Sequence, residues 1–164
     1  MDDTNHLEDK DSTHGPSNPP TYAPPAAAWV REQLEQIDAA GGDTAAVDIQ
    51  GLPVVVLTMR GRRSGALRRV PLMRVEHEGV YAAVASKGGA PDHPEWYFNL
   101  VADPAVDLHD GTTHTPTRAR EIDGQERTRW WARCVEAFPQ YADYQRGTDR
   151  QIPVFLLEPV THSS

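Results

Sequence analysis

The spacing of apolar and polar residues changes several times along the 164-residue chain. After Pro24 and Pro25, the stretch 26–40 places Val30, Leu34 and Ile37 at helical intervals and ends at Gly41-Gly42, which predicts one amphipathic helix. The period then shortens. Residues 52–59 (LPVVVLTM) form a β-branched run, residues 66–77 form a second with polar interruptions, and the Glu78-Gly79 turn leads into a third over 80–86. Three such runs joined by short loops predict an antiparallel meander.

A glycine-rich loop, KGGAPDHP, follows Ser86. Asp92 or His93 can cap a short helix that has Pro94 in its first turn and Trp96, Tyr97, Leu100 and Val101 on one apolar face. Residues 105–122 read as a hairpin turning at Asp110-Gly111. Asp123, with Glu126 three residues on, opens a further helix in the manner of a capping box, its inward face being Trp130, Trp131, Cys134, Val135 and Phe138. A polar segment bearing Tyr141 and Tyr144 then connects to a last strand over 152–160. Six mostly antiparallel strands with helices set between hairpins predict a small α+β barrel.

Composition narrows this further. Lysine and arginine number 16 against 24 aspartates and glutamates, a net charge of −8, which excludes a generic basic nucleic-acid binder. Residues 1–25 are acidic, proline-rich and nearly devoid of apolar side chains, so they are expected to be a disordered tail, with 26–161 as a single folded domain. A single cysteine, Cys134, allows no internal disulfide, the N-terminus lacks the pattern of a secretory signal, and no apolar run approaches a membrane span. A cytoplasmic protein is expected.

The positive charge is unevenly placed. Residues 49–75 contain no acidic side chain yet hold Arg60, Arg62, Arg63, Arg68, Arg69 and Arg74. At their centre, Gly61-Arg62-Arg63-Ser64-Gly65 forms a turn with glycine at both ends, where backbone N–H groups, a hydroxyl and guanidinium groups can converge on an anion. A phosphorylated or polycarboxylate ligand suits such a turn. The second loop, Ser86-Lys87-Gly88-Gly89, also ends a strand with glycines beside a cation. Neither is a Walker loop or a GxGxxG dinucleotide fingerprint. The seven histidines offer no convergent set of three ligands, so no metal is expected. Cys134 falls on an apolar helix face and reads as core, and Ser86 has no neighbouring base that would make it a hydrolase nucleophile.

Several of these motifs occur together in one known family. GRRSG with a downstream Arg-x-x-Pro-Leu, ASKGG, HPEWYFNL and the YxxYQ-x-x-TDR-x-IP ending, spread over residues 28–160, resemble the deazaflavin-dependent nitroreductase and F420H2-dependent quinone reductase family of actinobacteria. The resemblance implies a split β-barrel related to flavin-mononucleotide-binding oxidases. It also implies coenzyme F420 as cofactor, with hydride passing from its reduced form to a quinone or, in some members, a nitroaromatic compound. The protein supplies positioning and electrostatics, while the cofactor carries the redox chemistry.

Transferred motif by motif, the resemblance has Arg62, Arg63, Ser64 and Arg68 hold the phosphate and oligoglutamate tail, with Pro71 and Leu72 continuing the groove. Ala85, Ser86, Lys87 and Gly88 would line the deazaflavin ring, and Trp96, Tyr97 and Asn99 would help close the site. Tyr141 and Tyr144, with Ser86, take the substrate side as catalytic candidates. The chain departs from the family pattern at Ser64 (commonly threonine), Val70 (polar in some relatives), Glu95 (apolar in many) and Gly147 (larger in many). Its acidic tail also differs from the apolar amphipathic starts that favour peripheral membrane attachment. A flavin-mononucleotide enzyme of related fold and a non-catalytic F420 carrier are the alternatives, and the sequence leaves the oligomeric state open.

Overall fold

The computed structural model describes residues 28–160, so the expected tail at 1–25 lies outside the described residues. Helix α1 (Ala28–Ala39) is followed by strands β1 (Val54–Arg60), β2 (Leu67–Met73), β3 (Glu76–His77) and β4 (Val80–Val84). Then come α2 (Glu95–Ala102), the hairpin β5 (Ala105–Asp110) and β6 (Thr113–Glu121), α3 (Gly124–Ala137), α4 (Gln140–Arg146) and β7 (Val154–Pro159). The fold is α+β. Its seven strands form one antiparallel sheet in the order β2-β1-β5-β6-β7-β4-β3.

That order forces the sheet to curl. Laid flat, seven strands at ~4.8 Å spacing would separate β2 from β3 by roughly 29 Å. Only Arg74 and Val75 join them, a link that spans at most ~10 Å. The end strands must therefore meet, producing a curled half-barrel. Arg74 N–H donates back to Pro53 O at 3.1 Å, and Ala82 N–H reaches across to Val75 O at 2.9 Å.

Two expectations fail here for the same reason. The run 66–77 is two strands, so the sheet has seven strands rather than six. The meander is also absent, because β4 pairs with β3 and β7 rather than β2. Periodicity registers that 66–77 is extended, but it cannot register a change of sheet edge at Arg74. The Asp110-Gly111 hairpin and the α1 stop at Gly41-Gly42 are as expected, with Gly42 N–H closing on Ile37 O at 2.9 Å.

Alternation on β1 divides the core. Val54 and Val56 face α1 and pack with Val30, Leu34 and Ile37. Val55, Leu57 and Met59 face inward, against Ala83, Ala85, Trp96, Leu100 and Phe155. Trp130 and Cys134 on α3 close the other end with Phe138, Tyr141 and Ile152. Cys134 is fully buried in this cluster, as its apolar helix face predicts, and that burial pushes its thiol up to about 12. On α2, Val101 is exposed rather than part of the apolar face. Pro94 is the N-cap there, and neither Asp92 nor His93 fills that role. Asp123 makes no side-chain cap on α3; Glu126 instead pairs with Arg120 at 2.9 Å.

Candidate functional site

The arginine turn is built from its own backbone first. Gly61 N–H donates to Ala66 O at 2.8 Å and Gly65 N–H to Gly61 O at 2.9 Å. The Ser64 hydroxyl accepts from Ala66 N–H at 3.1 Å, and Arg60 donates to Gly65 O at 2.7 Å. Asn99 is buried on α2, where its Oδ1 accepts the Arg62 N–H at 3.0 Å, so it ties the turn to that helix. A side chain at Gly61 would come within 2.9 Å of Arg68 Nε, which puts the Arg68 guanidinium directly beside the turn.

The acid-free window is not acid-free in space. Arg62 pairs with Glu95 at 2.9 Å and lies 5.0 Å over the Phe98 ring. Arg69 pairs with Asp38 at 2.9 Å, and Arg74 with Asp110 at 2.9 Å. Among the described residues, three of the six arginines thus meet carboxylates from distant segments. Sequence proximity missed all three. Glu95, one of the departures from the family pattern, is the partner of Arg62.

A cavity of about 610 Å³ opens between β2, the start of the glycine loop and α4. Val70, Pro71, Leu72 and Met73 form one wall, residues 86–88 a second, and Phe138, Tyr141 and Tyr144 a third. Trp96 closes it from α2, while Ile49 and Gln50 reach in from the turn before β1. Pro71, Leu72, Ser86, Lys87, Gly88, Trp96, Tyr141 and Tyr144 were foreseen and are brought together here. Arg62, Arg63, Ser64, Arg68, Ala85, Tyr97 and Asn99 do not line this cavity. Arg68 is nevertheless close in register: it pairs with Met59, Val70 with Leu57 and Leu72 with Val55, so all three β2 residues share the inner face of the strand. Tyr97 turns the other way, its hydroxyl donating to Glu121 at 3.3 Å and its ring lying 4.2 Å from His93.

The glycine loop explains why the tyrosines stand where they do. Lys87, Gly88 and Gly89 all have positive φ (46°, 64° and 85°), and the Lys87 ammonium pairs with Asp92 at 3.1 Å. At Gly89 a Cβ would sit 2.9 Å from Tyr144 O, so only glycine lets the loop lie against α4. The segment expected as an irregular connection is the helix α4. Tyr141 is buried, which raises its hydroxyl above the ordinary phenol range. The Tyr144 hydroxyl donates to Gln140 Oε1 at 3.0 Å; Gln140 Nε2 in turn donates to Gln50 Oε1 at 3.1 Å. Gln50 and Gln140 were missed, since two amides 90 positions apart carry no sequence signal.

An apolar cavity of this size, with an arginine on the same strand face beyond it, fits a planar conjugated ring followed by an anionic tail. The family model of the F420H(2)-dependent quinone reductases matches residues 29–159. The chain belongs to this family, which makes it an oxidoreductase whose cofactor is coenzyme F420. Among solved structures, one described as an F420-H2 dependent reductase is 56% identical, covering 65% of this chain and 94% of that one, with a TM-score of 0.62. A second, described as a domain-swapped dimer, is 53% identical over 79% of this chain and 97% of that one, with a TM-score of 0.65. A Mycobacterium tuberculosis F420H(2)-dependent quinone reductase is 32% identical over 108 residues, 64% of this chain and 72% of that protein. The fold alone is shared with a heme-binding protein from Mycobacterium smegmatis, 16% identical with a TM-score of 0.50 over 78% of this chain and 50% of that one. Among the described residues no helix is long and apolar enough to cross a membrane, and no cluster of ligating side chains suits a metal.

Proposed function

We propose that the cavity between β2 and α4 is the place where this reductase brings F420 and its acceptor together. The observation that carries this is the convergence of an apolar β2 wall, the residue 86–88 turn and the α4 tyrosines on one cavity. When bound, the reduced coenzyme supplies hydride from its central ring to a quinone, with a nitroaromatic compound as the further acceptor class. Val70, Leu72 and Trp96 would take the ring by apolar contact and exclude water from it. Arg63, Ser64 and Arg68 would hold the anionic tail, Arg68 from the same strand face as Val70 and Leu72. Arg62 would divide its charge between that grip and Glu95, with which it pairs.

Tyr144 faces the cavity with its proton directed at Gln140, so its oxygen lone pairs are what it presents to a ligand in this arrangement. Exchange of that bond for one to the acceptor would let the phenol donate where negative charge develops. Tyr141, buried beneath it, would set the position of the aromatic wall. The Ser86 hydroxyl is the third candidate on this side. The curled sheet is read as the split-barrel architecture, and residues 26–161 as one binding unit. A cytoplasmic setting is part of the proposal, supported by a sole cysteine that is free and buried. Mixing the purified protein with reduced F420 and menadione tests the reading. Coenzyme oxidation supports it, tight binding without oxidation marks a carrier, and preference for flavin mononucleotide marks the other class of barrel enzyme.

A further inference from the structure

Arg150, in the segment between α4 and β7, donates more hydrogen bonds into the glycine loop than any pairing with an acid would need. Its Nε donates to Ala90 O at 2.8 Å, Nη2 to Ser86 O at 2.8 Å, and Nη1 to Ala85 O at 3.2 Å. Nη1 also lies 2.9 Å from His93 Nδ1. A guanidinium only donates, so His93 Nδ1 must be the acceptor and the imidazole neutral. One planar group therefore gathers three carbonyls and a ring nitrogen, all from residues 85–93. Lysine, with a single ammonium centre, could not reach the same four acceptors.

The consequence lies on the opposite side of the same peptides. In a trans peptide the C=O and the following N–H point in opposite directions. Holding the Ala85 and Ser86 carbonyls toward Arg150 therefore turns the Ser86 and Lys87 N–H groups away from it. Neither N–H has an acceptor among the described residues. Both residues line the cavity. Lys87 holds a φ of 46°, a conformation that costs a non-glycine residue free energy and persists only where surrounding bonds impose it.

We infer that Arg150 is a positioning residue, whose grip on residues 85–93 presents the Ser86 and Lys87 N–H groups as a paired donor site for a conjugated carbonyl oxygen. The ligand oxygen belongs to the deazaflavin ring or to the quinone, and this role rests on the coenzyme site proposed above. Arg150 itself is not among the residues that line the cavity. It acts through the backbone it holds.

The test uses the full chain with Arg150→Lys, and Arg150→Ala with methylguanidinium added as a stand-in. Without coenzyme, amide exchange at Gly89 and Ala90, whose N–H groups bond to Ser86 O at 2.8 Å and Lys87 O at 3.1 Å, should quicken in Arg150→Lys. The melting temperature should move by only a few degrees. With reduced F420 and menadione, kcat/KM should fall by about ten- to a hundredfold, the range for misplacing a group by about an ångström. Methylguanidinium should restore part of the rate in Arg150→Ala. In the parent protein, oxidised F420 should shift the Ser86 and Lys87 amide resonances if the ring supplies the oxygen, and menadione added to that complex should shift them if the quinone does, a measurement that needs no variant to fold. Parental exchange and kinetics in Arg150→Lys would overturn the inference, as would binding of F420 and then of menadione that leaves those two amides unmoved throughout. A parent that neither binds nor oxidises F420 would instead overturn the proposed function, while the exchange comparison would still report on the hold of Arg150.

Discussion

Gly89→Ala is the sharpest probe of how the site is assembled. The residue sits at φ +85°, and an added Cβ would lie 2.9 Å from Tyr144 O, 3.2 Å from its Cα and 3.4 Å from its carbonyl carbon. The left-handed backbone costs an alanine about 1–2 kcal/mol. Every atom it meets is backbone of α4, so relief requires moving the helix, a rearrangement of the kind that costs roughly 1–3 kcal/mol. Gly88→Ala is the matched control: its φ is +64°, but nothing lies within 4 Å of the added carbon. Both variants share the backbone cost, and only Gly89→Ala pays for displacing Tyr144. The difference should be at least about 1 kcal/mol, which for a chain of this size is roughly 2–4 °C in melting temperature. Thermal unfolding followed by circular dichroism gives the comparison directly. Gly89→Ala should also alter turnover through Tyr144. If the two variants melt together, the close approach of loop and helix is not what fixes the tyrosine wall.

Other expectations follow from the same geometry. Arg68→Ala should weaken F420 binding by about ten- to a hundredfold, since a charge-assisted bond is worth roughly 1.5–3 kcal/mol, and parental affinity should fall with salt. Arg62→Ala should also release Glu95 from its ion pair, and a fluorescence titration of coenzyme follows both variants. Tyr144→Phe should keep coenzyme affinity while lowering steady-state turnover by roughly ten- to a thousandfold, and the buried Tyr141→Phe should cost less. Burial first, and then the charge of Arg150, hold His93 below its ordinary value of 6.5. Unfolded His93 takes up a proton before the folded one does, so its contribution to stability is level above that value and is lost as pH falls through it. Melting curves across that range should show the loss, and His93→Gln should reduce it.

Much of the fold was legible because it is local. Val30, Leu34 and Ile37 announce α1, the β-branched run announces β1, and Asp110-Gly111 announces the hairpin. What escaped is what the chain does at a distance. Arg74 and Val75 look like the middle of a strand, yet they carry the chain from one end of the sheet order to the other. The arginine window suggested concentrated positive charge, but Asp38, Glu95 and Asp110 arrive from other segments to neutralise part of it. Motif resemblance brought Pro71, Leu72, Ser86, Lys87, Gly88, Trp96, Tyr141 and Tyr144 to one list, and the fold brings them to one cavity. It did not separate Asn99, which secures the arginine turn, from residues that face a ligand. Gln50, Gln140 and the four-fold grip of Arg150 emerge only when segments 57 to 90 positions apart meet.

A second cavity, of about 450 Å³, lies on the outer face of the sheet among Asp38, Thr58, Arg69, Asp107, His109 and His114. It supplies the control for the most direct measurement, a backbone amide resonance titration of the whole chain with F420. The account predicts shifts at Val70, Leu72, Ser86, Lys87, Gly88 and Tyr144, with Thr58, Asp107, His109 and His114 unmoved. Shifts confined to the outer cavity, or none at coenzyme concentrations that saturate turnover, would contradict it.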